Sequence, residues 1–169
     1  VLDAHGVAGL TTNRVAEVAG VSVGTLYQYY SNKQALVGAL QERVLRSLYE
    51  AFDEVLGAGG DQPMSVVAAR VGDAMVRVYE SQRPIYHWLI ALRTEADAQE
   101  AFRRWVDRFV TRLALFFGER SDFRYGDPRA AAFAVVTAVE GVANAVGARP
   151  GSVDLAGIGP SGAGRRDMG

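Results

Sequence analysis

Cysteine is absent from the 169 residues, which excludes disulfides, thiolate metal sites and thiol nucleophiles together. Histidine is scarce, His5 and His87 being the whole supply. With no clustered metal ligands and no nucleophile elbow, no enzyme, metal or cofactor is expected. An excess of charge of one sign is also missing: 18 Lys and Arg face 19 Asp and Glu, for a formal net charge of −1. The chain is therefore neither a polybasic nucleic-acid binder nor an acidic disordered segment. Alternating runs of β-branched residues are lacking, while apolar residues recur at spacings of three and four, so the expected class is all-α. Val1-Leu2-Asp3-Ala4 has no charged leader or long apolar run, so no signal peptide is expected and the location is read as cytoplasmic. The most apolar stretch, Ala130 to Ala148, is interrupted by Thr137, Glu140 and Asn144, and no membrane span is expected from it.

Two breaks divide what is present. Gly57-Ala58-Gly59-Gly60-Asp61-Gln62-Pro63 is a flexible stretch closed by a proline suited to opening a helix. Asp127-Pro128, at the end of the Gly118 to Pro128 break, reads as an N-cap and first helical position. Around them the spacing predicts short helices over Thr12 to Ala19 and Val23 to Tyr30, and a long helix from Ser31 toward Leu56. Further helices follow over Met64 to Ser81, Pro84 to Arg93, Asp97 to Phe117 and Pro128 to Val146. Val1 to Ala4 reads as the end of a first helix. Three regions result: 1–46, 47–150, and a Gly-rich 151–169 expected to be a mobile tail.

The segment from Thr12 to Tyr30 has helix-turn-helix spacing. Val15, Ala16, Val18 and Ala19 form an apolar stripe, Ala16 being small where a second helix must cross. Gly20 can take the left-handed conformation that ends a helix and turns the chain. Val21 plugs the corner, Ser22 is an N-cap candidate, and Val23, Leu26 and Tyr30 face inward while Thr25, Tyr27, Gln28 and Tyr29 are left freer. Tyr30 fits a core aromatic, a reading that suits Tyr27 less well. Ser31-Asn32-Lys33-Gln34 reads as a capping box that starts the long helix. Lys33 in that first turn opposes the helix dipole, which a bound phosphate would explain and an ordinary solvated lysine would not need.

Gly9-Leu10-Thr11-Thr12, Val15 through Ser22, Gly24 through Tyr30 and Lys33-Gln34-Ala35-Leu36 together resemble the DNA-binding domain of the TetR family over about the first 45 residues. The resemblance implies a three-helix helix-turn-helix domain, its first helix truncated here, followed by a helical ligand-binding and dimerisation domain. It places Thr12 and Arg14 against the DNA backbone and groove edge. It sets Val23, Gly24, Thr25 and Gln28 before bases, and Tyr27, Tyr29 and Lys33 on phosphates. The chemistry is compatible: Gly24 permits close approach, Thr25 offers a methyl and a hydroxyl, and Gln28 can pair bidentately with adenine.

The resemblance thins beyond the long helix. On the Asp97 to Phe117 helix, Ala98, Phe102, Trp105, Phe109, Leu113 and Phe117 share a stripe, with Arg103, Arg104, Asp107, Arg108 and Arg112 largely opposite. The aromatics are either core or part of a pocket. In the second reading Met75, Tyr79, Tyr86, His87, Trp88, Trp105 and Phe109 line an apolar cavity closed by His87 or Glu140, for a small apolar or aromatic effector. His87 also fits a partly exposed helix position. The Pro128 to Val146 helix is apolar nearly all round, which argues for a homodimer through it, as the family resemblance also implies. The expected function is a ligand-responsive repressor on double-stranded operator DNA. The alternative is a helical ligand-binding or interaction module without operator binding, favoured by the near balance of Arg14, Lys33, Arg43 and Arg46 against Asp3, Glu17, Glu42 and Glu50.

Overall fold

A computed structural model describes residues 1–6, 9–91 and 96–148. Among these residues the chain is all-helical, with α1 (Leu2–His5), α2 (Thr12–Ala19), α3 (Val23–Tyr29), α4 (Lys33–Gly57), α5 (Met64–Ala91), α6 (Ala96–Gly118) and α7 (Pro128–Ala148). The expected tail, 151–169, lies outside the described residues.

Local chemistry accounts for most boundaries. Thr11 caps α2 by accepting from the Arg14 amide at 3.2 Å, and Ser22 caps α3 by accepting from the Thr25 amide at 3.0 Å. Between them Gly20 adopts φ 68°, while the Gly20 and Val21 amides return to the Glu17 and Ala16 carbonyls at 3.1 and 3.0 Å. Asp127 caps α7, its two carboxylate oxygens accepting from the Arg129 and Ala130 amides at 3.0 and 3.3 Å. Pro128 then occupies the first helical position, where its missing N–H costs nothing.

Two expectations about boundaries fail. The capping residue of α4 is Asn32 rather than Ser31: its Oδ1 accepts from the Ala35 amide at 2.8 Å, and the helix starts one residue later than a serine cap requires. The two helices expected around Pro84 are one, α5, which runs unbroken through the proline. Proline removes a single backbone hydrogen bond and crowds the preceding turn. A 28-residue helix packed on α4 and α7 absorbs that loss.

The packing forms two clusters. The larger joins Phe52, Val55 and Leu56 of α4 to Val67 and Ala74 of α5, Val110, Leu113, Phe116 and Phe117 of α6, and Ala132 of α7. The smaller contains Leu10 and Val37, with Val1, Val15, Leu36, Leu40 and Ile85 packed against it. On α6, Trp105, Leu113 and Phe117 of the expected stripe are buried and Phe102 and Phe109 half-buried, but Val110 and Phe116 are buried too, so the covered face is broader. Arg103, Arg104, Asp107 and Arg108 are exposed, whereas Arg112 is half-buried and paired with Asp53 of α4.

The far end of this body is clamped. Arg120 pairs with Asp122 at 2.7 Å, donates to the Gly60 carbonyl at 2.8 Å, and lies 5.3 Å from the Phe116 ring centroid. Phe123 stacks on Phe117 at 4.8 Å. Space is tight at Gly59, where a Cβ would come to 3.0 Å from Val67 Cγ2 and 3.1 Å from the Val55 carbonyl oxygen.

Candidate nucleic-acid interface

Helices α2 and α3 are short, and each buries a single residue fully, Ala16 and Leu26. Ala16 lets the two helices cross closely, and Leu26 anchors α3 with 7% of its surface exposed. The wider inward stripe expected on these helices does not form. Val18 is 68% exposed, and Ala19, Val21 and Val23 also lie outward. In an eight-residue helix that turns about 100° per residue, Val18 lies about 200° from Ala16 and points away from α3. Val21 follows the left-handed corner and is carried to its outer side.

Every residue of α3 but Leu26 is exposed, so Val23, Gly24, Thr25, Tyr27, Gln28 and Tyr29 ring the helix, with Tyr29 at 77% and Tyr27 at 49%. Tyr27 is thus no core aromatic, whereas Tyr30, half-buried, ends the helix. Three hydroxyls and one amide stand among these side chains. Thr25 Oγ1 lies 2.8 Å from Ser22 Oγ, and Tyr27 OH lies 3.3 Å from Thr12 Oγ1, so each hydroxyl is already oriented from its own scaffold. The second contact ties α3 to the first residue of α2. Arg14, exposed on α2, reaches back to the Gly9 carbonyl at 3.5 Å. Lys33 is the first residue of α4 and half-buried. Thr12 and α3 are thus joined across the glycine corner, while Arg14 turns toward Gly9 and Lys33 stands at the start of α4. The Ser22–Thr25 hydroxyl pair was not singled out in the sequence as part of the surface, although a serine N-cap followed three residues later by threonine is a visible signal.

The candidate effector residues are dispersed. Trp105 is buried, donating its indole N–H to Glu42 Oε2 at 2.8 Å and lying 5.7 Å from the Tyr49 ring. Phe109 packs on Phe52 and Tyr49 at 5.2 and 5.3 Å, and Met75 packs on the large cluster. Tyr79 is half-buried on α5. Tyr86, His87 and Trp88 fall on the last turns of α5, and their side chains lie outside the described residues. Glu140 stands apart on α7, in an open groove of about 620 Å³ between α6 and α7 that is also lined by Phe102, Val106, Val110, Phe133 and Thr137. A smaller space of about 400 Å³ between α4 and α5 is lined by Glu54, Arg70, Asp73 and Arg77 beside Val55 and Val78. The Trp105 hydrogen bond and then Arg46 at 3.2 Å hold the Glu42 carboxyl below the ordinary glutamate range.

The outward side of α7 is apolar: Phe133, Val135, Val139 and Val142 are exposed, while Ala132 is wholly buried. Among the described residues no helix is long and apolar enough to cross a membrane, and no group of three or more His, Asp or Glu could hold a metal ion.

Two short capped helices on a glycine corner, joined through α4 to a helical body, define a helix-turn-helix regulator. Residues 1–40 match the model for bacterial regulatory proteins of the tetR family, and residues 63–157 match that for a tetracyclin repressor-like C-terminal domain. The chain is 30% identical over 131 residues to the HTH-type transcriptional regulator BetI of Paraburkholderia xenovorans (strain LB400), covering 78% of this chain and 66% of that one. It is 33% identical over 107 residues to BetI of Burkholderia thailandensis, covering 61% and 52%. It thus spans about two thirds of the first relative's length. Among solved structures, the TetR family regulator PfmR from Thermus thermophilus superposes with a TM-score of 0.67 at 17% identity, covering 93% of this chain and 87% of that one. SmeT in its triclosan complex superposes with a TM-score of 0.67 at 22% identity, covering 91% and 78%. This chain belongs to the TetR family of bacterial transcriptional regulators.

Proposed function

We propose that this chain is a repressor that holds operator DNA through α3 and releases it when a small apolar effector enters the helical body. The observation that carries the reading is a short helix held by one buried leucine with Thr25, Tyr27, Gln28 and Tyr29 all left exposed. In this account Val23, Gly24, Thr25 and Gln28 read base edges. Thr12, Arg14, Tyr27, Tyr29 and Lys33 set register on phosphates. The DNA-reading unit occupies 1–46 and the effector and dimer unit 47–150. The effector contacts are drawn from Met75, Tyr79, Tyr86, His87, Trp88, Trp105, Phe109 and Glu140. SmeT, a fold relative, is crystallised with triclosan, which supports a small aromatic molecule as the kind of effector to try first. Homodimerisation through α7 covers Phe133, Val135, Val139 and Val142 and sets two copies of α3 about 34 to 36 Å apart, one turn of DNA. The protein then acts in the cytoplasm.

The test is a mobility shift with the gene's own promoter region across a salt series. Specific binding that weakens as salt rises is the expected result. Gln28→Ala should weaken binding to the preferred site by about fivefold to a hundredfold, the range for one lost bidentate base contact, and relax sequence preference. The second reading, a helical module without operator binding, draws on the absence of Lys and Arg from α3. A wild-type protein that retards promoter and unrelated DNA equally, or neither, would establish it.

A further inference from the structure

No residue of α3 is charged, so the helix lacks the Arg and Lys that most often read guanine. What it can offer a base edge is set by geometry. Gly24 and Gln28 stand two residues either side of the buried Leu26, so each lies about 200° round the helix from that anchor, and together they make its outermost line. Thr25 neighbours both, adjacent to Gly24 in the chain and one turn before Gln28. Its hydroxyl is engaged: Thr25 Oγ1 lies 2.8 Å from Ser22 Oγ, which also accepts from the Thr25 amide at 3.0 Å. A β-branched side chain held in this way keeps one rotamer, with the hydroxyl toward the cap and the methyl as its free end. Tyr27 is likewise turned aside, its hydroxyl 3.3 Å from Thr12 Oγ1.

Nothing inside the subunit calls for glycine at 24. Its φ is not left-handed, and a Cβ added to it would meet nothing nearer than Ser22 Oγ at 3.7 Å, an ordinary contact. Alanine there would favour the helix. A helical side chain leans over the turn N-terminal to its own Cα, so the Gln28 stem overhangs the bare backbone of Gly24. The two residues are about 6 Å apart along the axis, which leaves room for one methyl group between the Gln28 stem and the Thr25 methyl. We infer that this notch takes the C5-methyl of a thymine, the apolar group that base edges present in the major groove. Gly24 and Thr25 are then specificity-determining residues, and the Gln28 amide beside them meets an adenine, so α3 selects A·T pairs. The inference rests on the repressor reading above and adds to it the base chemistry that α3 reads.

The promoter mobility shift tests the notch when single thymines of the bound stretch are replaced by deoxyuridine, which keeps the pairing edge and drops only the methyl. One thymine in a half-site should matter, its replacement weakening wild-type binding by about fourfold, the worth of burying one methyl group. Thr25→Ser keeps the hydroxyl and the cap: it should lose about the same factor on thymine DNA and be indifferent to uracil at that position. Thr25→Val keeps the methyl and should match the wild type in affinity and in its response to uracil. Gly24→Ala fills the notch, so affinity should fall by at least about fourfold while Tm holds or rises. Where that variant melts below the wild type, the two Thr25 variants decide. Specific binding that is indifferent to uracil at every thymine overturns the notch and leaves the repressor reading standing. So does the reverse ranking, in which Thr25→Val weakens binding and Thr25→Ser does not, since the hydroxyl is then the reader. A uracil effect that persists in full in Thr25→Ser overturns it as well, by assigning the effect to duplex shape. A wild type with no preference for promoter DNA overturns the repressor reading and the notch together.

Discussion

The two ends of α4 are built on different principles. At its C-terminal end Phe52, Val55 and Leu56 join a cluster that draws buried residues from four helices. At its N-terminal end Val37 and Leu10 alone are buried in a cluster whose other members are half-covered. The body is held by apolar burial; the DNA-reading unit is held by caps, a left-handed glycine and single anchors such as Ala16 and Leu26. Buried apolar area is concentrated in the body, and the helix-turn-helix rests largely on local hydrogen bonding, whose net contribution per bond is about 1 kcal/mol.

Three experiments put this division at risk. Phe116→Ala empties the middle of the large cluster and should cost about 3–5 kcal/mol, a large share of the total for a domain of this size. Thermal melting by circular dichroism should show the whole chain unfolding earlier; a loss confined to the N-terminal unit would contradict the division. Asn32→Ala removes the cap that starts α4 and should cost about 0.5–2 kcal/mol. Its signature is faster amide exchange over 31–36, with the body barely disturbed.

The smallest effect concerns pH. The fold holds Glu42 below the ordinary glutamate range, chiefly through the Trp105 indole N–H. Its contribution is therefore present above the ordinary glutamate value of 4.5 and is lost as pH falls through the lower folded value. Wild-type Tm should drop in that window by slightly more than that of Glu42→Gln, which keeps an acceptor for Trp105 but does not titrate. Parallel Tm curves from pH 7 to 3 would show the carboxylate to be irrelevant to the tie.

Much of the recognition unit was legible because its signals are local. Gly20, Thr11, Ser22 and the spacing from Ala16 to Leu26 each act within a turn or two of themselves, and the helix bounds there follow from them. The failures share a cause. Ser31 and Asn32 are both competent caps, and only the path of the chain into α4 decides between them. Pro84 reads as a boundary by itself, but packing against α4 and α7 keeps α5 continuous. Val18 and Val21 look like core by composition, yet a helix of eight residues has one inward face and Ala16 holds it. On α7 the even spread of alanine and valine could not say which side is covered, because the answer depends on α6.

The clamp made by Arg120 on the Gly60 carbonyl just past α4, with Asp53 paired to Arg112, fastens the C-terminal end of α4 to the body. Its 25 residues make a rod of about 37 Å. In a rod of that length held at one tip, a rotation of about 3° corresponds to about 2 Å at the other.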